Sequence, residues 1–376
     1  MNLVNIKYHN KRITNMLRYK GIRYTLNYLF TLAFYYTDFF RVIFVTKFYP
    51  WSLFYPRFIE IETTTRCNLR CAMCEHTYWN EKPRDMSFAE FKGIIGQFPN
   101  LKWVGVTGIG ASFVNKDFLK MLWYIKDKKI YSELYDTFFH IDEGVSRELI
   151  KMGYDRLIMS IDGATKETYE KIRAASDFDR VTNNLRNLVR LKKEMNAHYP
   201  EITFHYIISK DNIHEVLKFI GLAKEMTGTE NISILYSAIL HSYDQINDMV
   251  VDVPEELMLK AQENGNRLGI KVAWNRNIGE KENISRCTEW TMPFIFVDGT
   301  VVPCCVGNEA NQRSFQRETA MGNIFEKSFN EIWHGENYKK LRDNIHKGNV
   351  PPACVNCVVY DIGKKKTKQS NQICYL

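Results

Sequence analysis

The sequence predicts an α/β fold: a partial (β/α)6 barrel followed by a smaller unit rich in cysteine. Three observations predict it. Between residues 57 and 240, short apolar or β-branched runs alternate with helical patterns, as in parallel strands joined by crossover helices. The six units found there fit an open or incomplete barrel better than a complete eight-stranded one, although periodicity alone does not separate open from closed forms. Nine cysteines in 376 residues fall into two distant groups, with more than 200 residues between Cys74 and Cys287.

The chain opens on a basic, aromatic segment, residues 1–56. Lys7, Lys11, Arg12, Arg18, Lys20, Arg23, Arg41 and Lys47 face a single acid, Asp38, so residues 1–50 hold +7 of the chain's net +8. Tyr24–Thr37 (YTLNYLFTLAFYYT) carries no charge, but Asp38 and Arg41 follow at once. A membrane span needs about 20 largely apolar residues, so the run is a poor span. The long basic region without a small-residue cleavage site is a poor signal peptide. An aromatic helix with basic flanks fits an interfacial helix in one leaflet. A helical hairpin packed on the protein's own core fits the same pattern. Nothing here resembles a nucleic-acid arm or an RNA-binding module, so no nucleic-acid partner is expected.

FIEIETTT (58–65) reads as the first strand and runs into the first cysteines. WVGVTG (103–108), SELYDTFF (132–139), RLIMSI (156–161), ITFHYII (202–208) and NISILYSA (231–238) follow as strands, with helical sequences between them. Residues 254–274 add a helix and a terminal strand. The organisation expected is 1–56, a barrel over 57–280, and a second unit with its tail over 281–376. Few cysteines, tightly grouped, suit metal ligation in a reducing compartment better than extracellular disulfides. A cytoplasmic protein is expected, peripheral on the cytoplasmic membrane face under the interfacial reading. Cys374 is third from the C-terminus and so outside a prenylation motif.

TTTRCNLRCAMCEH (63–76) places Cys67, Cys71 and Cys74 on one tight loop at the carboxyl end of the first strand, where parallel α/β folds bind ligands. Three thiolates there can converge on one inorganic centre. Four soft ligands complete a structural zinc or iron–sulfur site, whereas three on a cubane leave one iron open. Zinc with a remote fourth ligand is the alternative.

The Cys-x3-Cys-x2-Cys spacing after the first strand resembles the radical S-adenosylmethionine (SAM) enzymes. The resemblance spans about 57–360 and implies a TIM-like partial barrel. It also implies a [4Fe–4S] cluster on Cys67, Cys71 and Cys74 whose open iron receives the methionine amine and carboxylate. Reduction then yields a 5′-deoxyadenosyl radical that removes a substrate hydrogen. Met73 falls where the family contacts adenine. VTGIGASFVNKDF (106–118) resembles the glycine-rich turn that touches the methionine end, with Gly108 and Gly110 retained. Ala111 and Ser112 replace the usual Glu-Pro. SIDGATKETYEKIR (160–173) resembles the segment after strand four, which places Ser160 and Asp162 near cofactor ribose or substrate; Asp162 also suits a local turn or cap. Glu133, Asp136 and His140 fall on the third strand and its exit, and either His205 or Tyr206 faces the interior.

In the second unit, eleven residues separate Cys287 from Gly299 and four separate Gly299 from Cys304, while PPACVNC supplies Cys354 and Cys357. This resembles the auxiliary iron–sulfur extension called SPASM or, when shorter, twitch. It implies one auxiliary [4Fe–4S] cluster on Cys287, Cys304, Cys354 and Cys357, with Cys305 competing for Cys304's place. Zinc fits the same four thiolates. The catalytic residues beyond the cofactor site are not identified. The basic N-terminus points to a lipid or lipid-linked substrate; a radical peptide maturase and a soluble sugar or alcohol dehydrogenase are the alternatives. Flavodoxin or ferredoxin is the expected electron donor.

Overall fold

The computed structural model describes residues 3–36, 55–228, 230–239, 244–275, 283–305, 312–357 and 359–363. Asp38, Arg41 and Cys374 lie outside these residues. The chain begins with a helical hairpin, α1 (Leu3–Lys20) and α2 (Ile22–Tyr36). Gly21, at φ +84°, makes the sharp turn that a side chain would disfavour.

Seven parallel strands follow and lie side by side in sequence order: β1 (Phe58–Ile61), β2 (Trp103–Val106), β3 (Tyr131–Asp136), β4 (Arg156–Ser160), β5 (Glu201–Ile208), β6 (Ile232–Ala238) and β7 (Lys271–Asn275). Every residue of β1 and β2 is buried, the pattern of a parallel sheet covered on both faces. The covering helices include α3 (Phe88–Gly96), α4 (Phe118–Asp127), α5 (Glu143–Lys151), α6 (Lys166–Ile172), α7 (Phe178–Glu194), α8 (Val216–Thr227) and α9 (Glu255–Leu268). Their starts are written locally. Ser87 and Glu90 form a reciprocal capping box on α3, and Asp142 and Asp177 cap α5 and α7. Along α7, Val181, Leu185, Leu188 and Leu191 recur every three or four residues and are fully buried.

The third strand stops earlier than its apolar run suggests. Asp136 accepts the Phe138 N–H at 2.6 Å, and Phe138 adopts φ +63°, so the chain turns at Thr137.

The second unit does not stand apart. β8 (Phe294–Ile295) pairs in parallel with the free edge of β1, and β9 (Thr300–Val302) and β10 (Gly322–Asn323) continue antiparallel. One ten-stranded sheet therefore runs β10-β9-β8-β1 and on through β7. Its outer strands are β10 and β7, and no pairing joins them among the described residues. The barrel is partial. Helices α10 (Arg313–Glu318), α11 (Phe329–His334) and α12 (Glu336–His346) complete the unit, with Trp333 buried between Trp290 and Tyr338.

The hairpin seals the end of the barrel where the strands begin. Arg12 pairs with Glu201 at the start of β5 at 2.8 Å and approaches Glu133 at 3.9 Å. Glu133 also pairs with Arg156 at 3.0 Å, so it faces this end and not the strand exit. Lys20 pairs with Asp155 at 3.1 Å, and the Tyr24 hydroxyl donates to the same carboxylate. Met16 is fully buried. Of the two N-terminal readings, packing on the protein's own core is the one seen for the inward face. Among the described residues no helix is long and apolar enough to cross a membrane.

Candidate metal and cofactor site

At the opposite end, where the strands finish, a cavity of about 250 Å³ opens among the loops. Cys67, Cys71 and Cys74 all line it. Their loop is held from both sides. On the entering side, Thr64 donates to Asp85 at 2.6 Å and its oxygen accepts the Arg66 N–H at 3.0 Å. On the leaving side, Arg70 and Cys71 pair antiparallel with Ala174 and Arg173, the segment that follows α6. The Cys67 sulfur accepts the Leu69 N–H at 3.4 Å, a contact that stabilises a thiolate.

Burial pushes all three thiols up. Cys74 reaches about 12, through burial first and then its neighbour Cys71. For Cys67 and Cys71 burial is again the largest cause. Thiolates that are desolvated and mutually repelling need a cationic centre among them. The donor set therefore fits an iron–sulfur cluster. Arg173 supplies one fixed positive charge beside the cysteine loop, with its guanidinium 3.9 Å from the Cys71 sulfur. Burial opposes that charge, but Asp162 and then Cys71 hold the Arg173 pKa above its ordinary value.

Asp162 is placed differently from the sequence expectation. It is fully buried behind the cavity wall, where it pairs with Arg173 at 2.6 Å and accepts the Ile207 N–H at 2.7 Å. It orients Arg173 and does not face the cavity. The sequence reading missed Arg173 as a site residue, although it ends the 160–173 motif. Met73, Gly108, Gly110 and Ser160 do line the cavity.

Gly110 is required by close approach. A Cβ there would collide with the Thr64 carbonyl oxygen and come within 2.8 Å of the Arg66 carbonyl. The Ala111 N–H donates to that Arg66 carbonyl at 2.8 Å, which locks the glycine turn to the cysteine loop. Gly110→Ala is expected to cost about 1–3 kcal/mol by overpacking and to weaken SAM binding about tenfold or more by shifting both loops. Denaturant titration and equilibrium binding of SAM measure the two effects.

His205, not Tyr206, faces the cavity. Its Nε2 lies 2.8 Å from the Ser237 hydroxyl, and burial lowers its pKa to about 4, which keeps the ring neutral. Tyr206 is buried on the other face and donates to the Asn212 carbonyl. His140 is turned to Asn68, 3.0 Å away. Asp136 lines the cavity, and burial raises it to about 7.

The second thiol group is also drawn together. Burial raises Cys287 well above the usual range, followed by the charges of Glu289, Cys354, Cys304 and Cys357. Cys354 is pushed up to about 12 by burial and then by Cys357. These four form one neighbourhood, again a donor set that fits a cluster; Cys305 is buried beside Cys304. Among the described residues no three His, Cys, Asp or Glu side chains are drawn closely enough around one point to hold a single metal ion.

The glycine turn and the second unit meet at Glu62, just beyond β1. Its carboxylate accepts the Ile109 N–H at 3.1 Å and the Val297 N–H at 3.3 Å, and pairs with Arg313 of α10 at 2.7 Å. Arg313 also donates its backbone N–H to Glu75 at 2.9 Å, and its guanidinium lies over the Phe296 ring at 3.6 Å. No local sequence signal marks this pair.

Residues 61–225 match the Radical SAM superfamily and residues 287–358 match SPASM, described as an iron–sulfur cluster-binding domain. The chain is 26% identical over 329 residues to the tungsten-containing aldehyde ferredoxin oxidoreductase cofactor-modifying protein of Pyrococcus furiosus, across 81% of this chain and 88% of that one. It is 25% identical over 176 residues to the mycofactocin maturase MftC of Mycolicibacterium smegmatis, across 46% of this chain and 43% of that protein. Its fold is similar to that of Streptococcus suis SuiB bound to S-adenosylmethionine, with a TM-score of 0.61 at 14% identity, covering 79% of this chain and 70% of that one. SuiB has also been seen with its precursor peptide SuiA (TM-score 0.60). With the cysteine loop at the mouth of a partial barrel and a second thiol group joined to its first strand, the chain belongs to the radical SAM superfamily, as an enzyme with a C-terminal SPASM domain.

Proposed function

We propose that this enzyme abstracts a hydrogen atom from a side chain of a ribosomally made peptide, in a maturation reaction. The observation that carries the radical chemistry is the convergence of Cys67, Cys71 and Cys74 on a cavity lined by Gly108 and Gly110. In this reading the three thiolates hold a [4Fe–4S] cluster, and Cys287, Cys304, Cys354 and Cys357 hold one auxiliary [4Fe–4S] cluster. When bound, cluster and SAM supply reductive sulfonium cleavage and a 5′-deoxyadenosyl radical.

The chain's own residues bind and orient. Gly108 and Gly110 let backbone approach the methionine end, and Arg173, held by Asp162, keeps a positive charge beside the cysteine loop. Met73 offers an apolar contact for adenine and Ser160 a hydroxyl. Leu69, Ile207, Leu235 and Ile239 make the walls apolar, which excludes water and competing hydrogen donors. Neutral His205 with Ser237 offers polar contacts to substrate on the inner wall. A reduced flavodoxin or ferredoxin supplies the electron.

The matches to a mycofactocin maturase and to SuiB support a peptide substrate. The lipid reading rested on the N-terminus, and the hairpin packs at the end of the barrel away from the cavity. That position removes its direct route to the site. The test is anaerobic turnover with deuterated peptides, in parallel with deuterated lipid extract and deuterated sugars or alcohols. Deuterium appearing in 5′-deoxyadenosine only with a peptide is the expected result. Transfer from lipid, sugar or alcohol and none from peptide would overturn the peptide assignment while leaving the radical chemistry in place.

A further inference from the structure

We infer that the outward face of the α1–α2 hairpin docks the enzyme peripherally on an anionic phospholipid surface, with the cavity mouth turned away from the bilayer. The inward face is committed. Met16, Tyr24, Thr25 and Tyr28 are buried, and Arg12 and Lys20 are paired with acids at the strand starts. Rotating the hairpin to hide its other face would break those pairs.

The face left outside is both apolar and basic. Ile22, Leu26 and Leu29 are 68%, 57% and 38% exposed and follow one another along α2 at helical spacing, with Leu17 of α1 48% exposed. Isolated exposed aliphatics are ordinary, but a contiguous stripe marks a contact surface. Lys11, Arg18 and Arg23 are also exposed. From Leu3 to Tyr36 the sequence contains six Lys or Arg and no Asp or Glu, and of the six Arg12 and Lys20 are the two paired on the inward face. Apolar side chains among unopposed basic ones complement an acyl boundary beneath anionic headgroups.

Other occupants fit less well. A second copy would set two such basic faces against each other, since a two-fold contact repeats the same patch. A nucleic acid offers phosphates but nothing for the aliphatic stripe. The hairpin meets β3, β4 and β5 where they begin, whereas Asp136, Ser160 and Ile207 line the cavity near their ends. Docking would therefore bring the enzyme to a surface while its substrate enters from the aqueous side. This inference does not rest on the identity of that substrate.

The test is co-sedimentation of the full, cluster-reconstituted chain with vesicles of phosphatidylcholine alone or mixed with phosphatidylglycerol. Retention on the mixed vesicles only is expected, weakening as salt rises. Both Ile22→Asp/Leu26→Asp and Lys11→Glu/Arg18→Glu/Arg23→Glu are expected to lower retention about tenfold or more. Both are expected to keep wild-type helical dichroism and 5′-deoxyadenosine formation. Retention of either variant equal to wild type, equal binding to phosphatidylcholine alone, or no binding at all would overturn the proposal. So would a vesicle-free dimer that the variants dissolve, which would assign the face to a second copy.

Discussion

Replacing Cys67, Cys71 and Cys74 together by alanine is expected to reduce 5′-deoxyadenosine formation to background and to remove one cluster's worth of iron. The three thiols share one cavity, and burial disfavours each as a bare thiolate, with repulsion from the neighbouring thiolates adding to it at Cys71 and Cys74. An iron–sulfur centre resolves that conflict, and its loss leaves SAM without an electron source. Under the two-cluster assignment, iron falls from about eight to about four atoms per chain, because the four thiols of the second unit are untouched. The iron that remains is the internal control. Stoichiometric zinc in the wild-type chain, or continued SAM cleavage by the triple variant, would refute the assignment.

Arg313→Ala is expected to be the most damaging change away from the thiols, at about 3–5 kcal/mol of unfolding free energy. The Arg313 and Glu62 side chains are 4% and 1% exposed, so deleting the cation strands a buried carboxylate. That carboxylate also receives N–H groups from the glycine turn and from the loop after β8. Destabilisation should therefore reach both cofactor regions. Denaturant midpoints compare the variant with Glu62→Gln/Arg313→Met, which removes the stranded charge and should recover part of the loss. No recovery in the double variant would mean that the packing of Arg313 on Phe296, not its charge, dominates.

The strand order was legible because each strand of this barrel is a local event. Runs such as RLIMSI and ITFHYII are buried on both faces and announce themselves by composition, and all six fall on observed strands. The cysteine loop was legible for the same reason: its spacing is contained in eight residues. What escaped was non-local. Glu62 and Arg313 lie 251 positions apart, and nothing near either one predicts the other. Asp162 stands in a motif, but whether it faces the cavity or Arg173 depends on where α6 returns the chain. The N-terminal helices show a further limit. An amphipathic pattern reports that one face is apolar, not what covers it, and here, among the described residues, both faces carry apolar side chains and only the inward ones are buried.

The seat of β1 between β2 and β8 sets an order on synthesis. Its partner Trp103–Val106 leaves the ribosome soon after it, whereas the flanking Phe294–Ile295 is made more than 200 residues later. Until then the nascent barrel displays an uncovered strand edge, with the amides of Glu60 and Glu62 still waiting for Pro293 and Ile295. Such an edge is a template for intermolecular pairing. The C-terminal unit thus also serves as a built-in edge cover, and a barrel excised from it would be an adhesive fragment.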